Sequence, residues 1–342
     1  MLNAITVDVE DWFHVAVFRN VIDYEDWEKQ ESRILPNICR ILELFDEYGV
    51  KATFFVLGWL AERFPEIVLT IKKYGHEIGS HGYAHKIIYE HPKENFQDDL
   101  DKSMTILENI TTEKVLYYRA PSFSITSQSM WALEVLAERG IRYDSSIFPI
   151  KHDIGGFPNM PRIPFFMEFK NGAKLNEFPL STLRFWGENI PISGGGYLRL
   201  LPYWFIRNSI KKNNEAGIPV ILYFHPWEID AGQPRMKLKL SSRFRHYTNL
   251  DLTEGKVRKL LSEFKFTSLG ELAKSFKIDH RWPQITSDDN NNHYKGNHRL
   301  GQWWLNLENL MLVVGYFKRS LISKKFWALV VECFRNNVAM WV

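Results

Sequence analysis

Two histidines four residues apart, His81 and His85 in the segment HGYAH, are the most specific chemical signal in this sequence. Two imidazoles at this spacing can face one divalent ion if the segment is helical or turns tightly. A pair of this kind is, on its own, more often two ordinary loop histidines than a metal site. Further donors are therefore needed to support a metal-binding interpretation.

Three carboxylates, Asp8, Glu10 and Asp11, lie together in the segment DVEDWFH after a short β-branched run. Carboxylates this close repel one another unless a cation or an arginine lies among them. A solvated acidic turn is an equally good interpretation of the cluster alone. Together with His81 and His85, one carboxylate would give a divalent ion three protein ligands and leave positions open for water, as catalytic sites require.

Three more residues follow predicted strands: Arg119 in RAPSF, Asp144 in YDSS and His225 in LYFHPWE. Arg119 is well placed to pair with a carboxylate and hold it ionised, and Asp144 could orient His225. The alternatives are a surface arginine beside a turn proline and a histidine buried in the core.

These residues all lie where predicted strands end, and strand and helix signals alternate up to about residue 275. Apolar spacing predicts a helix over 35–48, and ATFFVL at 52–57 predicts a buried strand. Alternation of this kind implies a parallel sheet with right-handed crossovers. About seven units fit a closed, (β/α)7-type barrel, with active residues at the carboxyl ends of the strands.

The barrel is predicted to span residues 1–277, and the stretch from about 148 to 199, rich in Pro and Gly, is predicted to be a long functional loop region. Residues 278–342 form a predicted C-terminal extension with a polar linker and an apolar, mostly helical segment. Sugar stacking or polar recognition is expected of Trp186, Tyr197, Trp227 and Arg235, the alternatives being buried aromatics and a solvated basic loop.

Composition excludes several classes of protein. A net charge of +3 is too small to indicate nucleic-acid binding. The two cysteines, Cys39 and Cys333, form neither a disulfide framework nor a cysteine metal site and are typical of a reducing compartment. With no signal-peptide pattern and no uninterrupted apolar span of about 20 residues, we expect a cytoplasmic protein, with contact at the inner membrane face through the extension as the alternative.

The order of these motifs resembles the polysaccharide deacetylase superfamily, carbohydrate esterase family 4, over roughly residues 3–275. The segments VDVEDWFH at 7–14, HPWEID at 225–230 and RFRHYTN at 243–249 narrow the resemblance to one subgroup of this superfamily. They are similar to deacetylases that accompany exopolysaccharide and exosortase (PEP-CTERM) gene clusters in bacteria.

This resemblance implies that His81 and His85 bind a zinc-like divalent ion, for which cobalt or nickel would also be suitable. The family's usual motif has two adjacent aspartates, of which the first is the base and the second the ligand. Here Val9 and Glu10 separate Asp8 from Asp11. Asp11 is the preferred metal carboxylate because it keeps the family's ligand chemistry, and Glu10 is the alternative.

The remaining roles also come from the resemblance: Asp8 as general base, Arg119 as its partner, and His225 as general acid. Asp144 would tune His225, with Asp153 as the fallback. The implied reaction is removal of N-acetyl groups from N-acetylhexosamine units of an exopolysaccharide or its lipid-linked precursor. The alternatives are an allantoinase-like cyclic-amide hydrolase and an inactive sugar-binding module.

Overall fold

A computed structural model describes residues 1–275 and 284–286, and its centre is a curled sheet of parallel strands. The strands are β1 (Leu2–Val9), β2 (Thr53–Val56), β3 (Glu77–Ser80), β4 (Tyr117–Tyr118), β5 (Tyr143–Asp144), β6 (Phe165–Glu168), β7 (Lys174–Glu177), β8 (Thr182–Phe185), β9 (Glu188–Pro191), β10 (Ile221–Phe224), β11 (Lys265–Thr267) and β12 (Gln284–Thr286). Seven of them pair in parallel in the order β10-β1-β2-β3-β4-β5-β7. Strands β6 and β12 extend the sheet beyond β7, and β11 pairs with the start of β1. Strands β8 and β9 form a separate hairpin.

The helices lie between the strands, as parallel crossovers require. They are α1 (Ile34–Glu47), α2 (Gly58–Arg63), α3 (Pro65–Lys73), α4 (Lys93–Thr111), α5 (Trp131–Glu138), α6 (Gly195–Leu200), α7 (Tyr203–Glu215), α8 (Leu240–Tyr247), α9 (Leu250–Glu263) and α10 (Leu269–Ser275). None of the described helices is long and apolar enough to cross a membrane.

The apolar pattern explains why these segments pack as they do. In α1, Ile38, Ile41 and Phe45 recur at helical spacing and are completely buried. In β2 every residue is buried, as expected for a parallel strand covered on both faces. Burial of each such apolar side chain contributes about 1.5–3 kcal/mol. The sheet is therefore held rigidly enough to fix the residues at its strand ends.

The prediction of a distorted seven-strand α/β barrel is confirmed. Within the described residues no ladder joins β7 to β10. A side chain bridges this gap: the Ser181 hydroxyl accepts a hydrogen bond of 2.8 Å from the backbone N–H of Ile221. The curl is thus a barrel with one open seam.

Two local predictions differ from the structure. The stretch 148–199 contains β6–β9 and the start of α6 rather than only loops, because short alternating segments inside it pair with one another. Residues 284–286 of the predicted extension form β12. The rest of that extension lies outside the described residues.

Candidate active site

A carboxylate and two imidazoles converge at the carboxyl ends of β1 and β3. Glu10 Oε1 lies 2.9 Å from His81 Nε2 and 3.1 Å from His85 Nε2. One potential ligand atom from each of the three residues lies within 4.8 Å of the other two. All three side chains are nearly inaccessible to solvent. The fold therefore brings His81 and His85 together, as expected from their spacing.

A tight turn after β3 brings the two histidines to the same point. His85 has φ of +50°, a left-handed conformation that is rare for a residue with a side chain and is often found at functional sites. Asp99 on α4 holds the turn by accepting hydrogen bonds from the backbone N–H groups of Tyr83 at 2.6 Å and Ala84 at 3.2 Å. The HGYAH segment therefore turns tightly, as is needed for both imidazoles to face one ion.

The donor chemistry fits a divalent cation. His81 Nδ1 lies 2.8 Å from the backbone carbonyl of Arg119, which can only accept, so Nδ1 holds the ring hydrogen. A neutral His81 then directs the Nε2 lone pair at the Glu10 carboxylate, and two electron-rich atoms at 2.9 Å repel unless a cation or a proton lies between them. Carboxylate and imidazole donors suit zinc, cobalt and nickel.

Asp11, the preferred metal carboxylate from the sequence, does not join this cluster. Its side chain caps the turn that follows, accepting from the N–H of Trp12 at 2.9 Å, and it also accepts from the Ser32 hydroxyl and the Arg33 N–H at 2.8 Å each. These three donors occupy the carboxylate. The alternative, Glu10, is the residue that the structure brings to the histidines.

Asp8 and Arg119 form the expected ion pair. Arg119 Nη1 donates to Asp8 Oδ1 at 2.7 Å, and both side chains are essentially buried. The guanidinium also donates to the Thr6 hydroxyl at 2.7 Å and to the Ser145 hydroxyl at 2.7 Å. Among the described residues no donor contacts Asp8 Oδ2, so one oxygen of this oriented carboxylate is left to accept a proton.

His225 follows β10 and faces the same cluster, with its Nε2 3.9 Å from Glu10 Oε1. Its Nδ1 donates to Glu228 Oε2 at 3.0 Å. Arg199 Nε in turn donates to Glu228 Oε1 at 2.7 Å, and both of these side chains are buried. A histidine, a glutamate and an arginine thus form a line leading into the site.

The expected partner of His225, Asp144, is not in that line. Asp144 instead accepts from the Ser146 hydroxyl at 2.6 Å, and it lies beside the buried Glu177. The fallback, Asp153, is exposed and does not contact His225. The structure therefore does not place Asp144 beside His225, because Glu228, three residues after His225 on a short turn, contacts the ring instead.

The charges around His225 favour its protonated form. Burial disfavours the imidazolium, but the negative charge of Glu10 and the hydrogen bond to Glu228 outweigh it and raise the pKa of His225 to about 9. Burial would likewise raise the pKa of Glu228, yet His225 and Arg199 lower it to about 2. Burial also raises the pKa of Glu10, but the positive charges of His85 and His225 outweigh it and hold the pKa of Glu10 well below its usual value. The pair is built to keep a proton on His225.

The residues expected to contact substrate are distributed differently from the prediction. Trp227 is 3% exposed and stacks on the rings of His225 and His246, so it is not available as a sugar-stacking wall. Tyr197 is also buried, beside Phe148. Burial in the core, the plainer alternative for both aromatics, is what the structure shows.

Trp186 and Arg235 remain at the surface. Trp186 lies at the turn of the β8–β9 hairpin, 79% exposed and stacked on Phe185. Arg235 is exposed, with its guanidinium 4.5 Å from the centre of the Tyr247 ring. Their roles in substrate binding stay predictions.

Sequence reasoning missed Glu228 and Arg199. Glu228 had a usable signal, since it lies three residues after His225 in HPWE, a spacing that a single turn can close. Arg199 had none, because it lies 29 residues from Glu228 and only the fold brings them together.

Two family models match this chain, and each covers part of the site, whereas Asp8 and Glu10 precede both matched ranges. One, described as Polysaccharide deacetylase, matches residues 34–143, which contain His81, His85 and Arg119. The other, described as Domain of unknown function (DUF3473), matches residues 145–274, which contain His225 and Glu228.

Curated relatives match about a third of the chain. A peptidoglycan-N-acetylglucosamine deacetylase of Bacillus cereus is 35% identical over 28% of this chain and 35% of its own length. A peptidoglycan deacetylase of Helicobacter pylori is 33% identical over 32% of this chain and 36% of its own. A chitooligosaccharide deacetylase of Azorhizobium caulinodans is 29% identical over 32% of this chain and 50% of its own length. The chain thus spans half or less of the length of these relatives.

Solved structures are similar over most of the described chain. A Mycobacterium smegmatis protein assigned as a polysaccharide deacetylase superposes with a TM-score of 0.57 at 19% identity, covering 83% of this chain and 92% of that one. The PuuE allantoinase superposes with a TM-score of 0.54 at 13% identity, covering 82% and 92%. At these identities the similarity establishes the fold.

Proposed function

We propose that this chain is a metal-dependent N-deacetylase of the polysaccharide deacetylase superfamily, carbohydrate esterase family 4, and that it acts on N-acetylhexosamine units of a saccharide. The observation that supports this most is the convergence of Glu10, His81 and His85 opposite the His225–Glu228 pair. A metal-ligand set and a protonated histidine can together activate the acetamide carbonyl and protonate the leaving nitrogen.

An amide is hard to hydrolyse because its carbonyl is a weak electrophile and an amine is a poor leaving group. A divalent ion held by Glu10, His81 and His85 would polarise the acetamide carbonyl and acidify water. Asp8, oriented by Arg119, takes the proton from the attacking water through its Oδ2. A new C–O bond then forms at the carbonyl carbon while the π electrons of the C=O bond move to the carbonyl oxygen.

The second half of the reaction belongs to His225. As the C–N bond breaks, the Nε2 proton of His225 passes to the departing nitrogen, giving acetate and a free amino sugar. Glu228 stabilises the imidazolium beforehand and keeps Nε2, rather than Nδ1, directed at the site. A positioned acid of this kind contributes about 10²- to 10⁴-fold in rate.

The relatives named above are described as acting on peptidoglycan or chitooligosaccharides. N-acetylglucosamine units are common to both, which supports an N-acetylhexosamine as the substrate unit. We propose an exopolysaccharide, or its lipid-linked precursor, as the natural acceptor, on the similarity of the segments at 7–14, 225–230 and 243–249.

The test is acetate release from an N-acetylglucosamine oligomer, using enzyme stripped with a chelator and then reloaded with Zn²⁺, Co²⁺ or Ni²⁺. We expect activity to vanish with the chelator, to return with metal, and to be lost in Asp8→Asn. Allantoin serves as the comparison substrate. Turnover of allantoin but not of the oligomer would favour the cyclic-amide hydrolase, and stoichiometric metal without turnover of either would contradict the proposal.

A further inference from the structure

A surface strip formed by α8 and the residues just before it combines cations with exposed apolar side chains. We define this basic apolar strip by Lys237, Lys239, Leu240, Arg243 and Phe244, all of which are exposed. The proposed deacetylation uses none of these five side chains.

The charge of the strip is not neutralised by its surroundings. Between positions 231 and 250 the sequence has five cationic side chains and no Asp or Glu. In the described part of the chain, Lys237, Lys239 and Arg243 have no ion pair, whereas cations on other helices, such as Arg207 and Arg258, pair with nearby glutamates. The strip therefore presents an uncompensated positive field.

The apolar residues of the strip are unusually open to solvent. Leu240 is 84% exposed and Phe244 is 55% exposed. They are four residues apart on α8, so they lie on the same face of the helix, while His246, two residues after Phe244, is buried on the opposite side. Cations flanking exposed apolar side chains are typical of helices that lie in a membrane interface.

We propose that the basic apolar strip docks on a membrane surface that contains anionic lipid headgroups. The cations would lie among the headgroups while Leu240 and Phe244 enter the boundary with the acyl chains. An acidic polysaccharide would match the charge equally well, but it offers no apolar phase for two exposed hydrophobic side chains. The exposure of Leu240 and Phe244 is what favours lipid.

The strip is connected to the candidate active site through ring contacts. On the buried side of α8, His246 stacks on Trp227 at 4.4 Å, and Trp227 stacks on His225 at 5.2 Å. Docking would therefore hold the site close to the headgroups, where a lipid-linked saccharide is presented. This last consequence rests on the proposed function, whereas the docking itself does not.

The experiment measures binding of the full chain to sedimented vesicles, either pure phosphatidylcholine or phosphatidylcholine with about a third phosphatidylglycerol. We expect binding only to the anionic vesicles. Neutralising all three cations, as Lys237→Gln, Lys239→Gln and Arg243→Gln, should weaken it about 100-fold. The double variant Leu240→Ser and Phe244→Ser should weaken binding while leaving its salt dependence in place.

The matched control is Leu69→Ser with Lys73→Gln on α3, which removes an exposed apolar side chain and an exposed cation elsewhere. It should bind like the unaltered chain. Undiminished vesicle binding by the triple-cation variant would overturn the proposal. So would binding that is insensitive to Leu240→Ser and Phe244→Ser but is displaced by soluble polygalacturonate, because the strip would then recognise an acidic polymer. Vesicle binding needs no turnover, so its failure and failure of the deacetylase assay are separate results.

Discussion

Nδ1 of His225 donates a hydrogen bond of 3.0 Å to Oε2 of Glu228, three residues further along the chain. This single contact assigns the tuning role to a glutamate on the turn after β10 rather than to Asp144 at the end of β5. Because Nδ1 is committed to Glu228, the proton on Nε2 is the one available to a leaving group. The contact also has a consequence for pH dependence.

Glu228→Gln should move the alkaline limb of the kcat/KM profile to lower pH. Glu228 helps to raise the pKa of His225 to about 9, so the protonated acid persists at alkaline pH in the unaltered protein. Removal of the negative charge lowers that pKa, and the proton is lost earlier as pH rises, by about 1 to 3 pH units. The measurement is acetate release from about pH 6 to 10. A limb that stays in place would contradict the pairing.

Arg199→Met should impair hydrolysis of amides more than hydrolysis of activated esters. Arg199 Nε donates to Glu228 at 2.7 Å, and its Nη1 donates to the backbone carbonyls of His246 and Thr248. Because Arg199 is also buried, we expect it to position the acid pair rather than to contact substrate. An amine must be protonated to leave, whereas a nitrophenolate need not be. We expect about a 10²-fold loss in kcat on the N-acetyl sugar and little change on 4-nitrophenyl acetate.

Arg199→Lys is the conservative control for this prediction, since it keeps the charge but loses the fork of donors. It should fall between the unaltered chain and Arg199→Met on the amide. Equal losses on amide and ester would mean that the arginine only supports the local fold.

Glu10→Gln and Asp11→Asn form a matched pair that separates the two candidate metal carboxylates. Glu10 contacts both histidines, so its amide variant should lose at least about 100-fold in Zn²⁺ affinity. Asp11 caps a turn and contacts Ser32 and Arg33, so Asp11→Asn should keep the metal and lose about 1 kcal/mol of stability. Metal titration and thermal unfolding measure the two effects. The reverse pattern would restore Asp11 as the ligand.

Glu177→Gln should stabilise the protein increasingly as pH rises above about 5. Burial and the neighbouring charge of Asp144 raise the pKa of Glu177 well above its ordinary value of 4.5. The folded chain therefore keeps a proton that the unfolded chain loses above that value, and stability falls with rising pH. Glutamine does not titrate, and its amide can donate to Asp144.

Thermal unfolding across this pH range is the measurement, with about 2 to 4 °C expected per kcal/mol gained. Glu271→Gln, on the exposed side of α10, is the matched control and should show no such trend. A constant difference between Glu177→Gln and the unaltered chain at every pH would rule out a protonated Glu177.

The sequence by itself determined the kind of fold and most of the reacting groups. Strand–helix alternation and buried runs such as ATFFVL are local patterns, and they are sufficient to specify a parallel, barrel-like sheet. Because strand ends in such a sheet meet at one rim, His81, His85 and His225 could be expected together before any contact was known. The pairing of Arg119 with Asp8 came instead from the family resemblance, since its position at a strand end predicted only that it would pair with a carboxylate.

Only the tertiary structure decided which of two candidate carboxylates contacts the histidines of the site. Asp11 and Glu10 are adjacent, and the choice between them depends on Ser32 and Arg33, which arrive from a segment more than twenty residues away. Glu228, not Asp144, forms the hydrogen bond to His225. Whether a hydrogen bond forms depends on a donor–acceptor distance defined to a few tenths of an ångström, and residue spacing in the sequence does not predict distances that precisely. Local pattern places a residue on an element, and long-range packing decides where its side chain finds a partner.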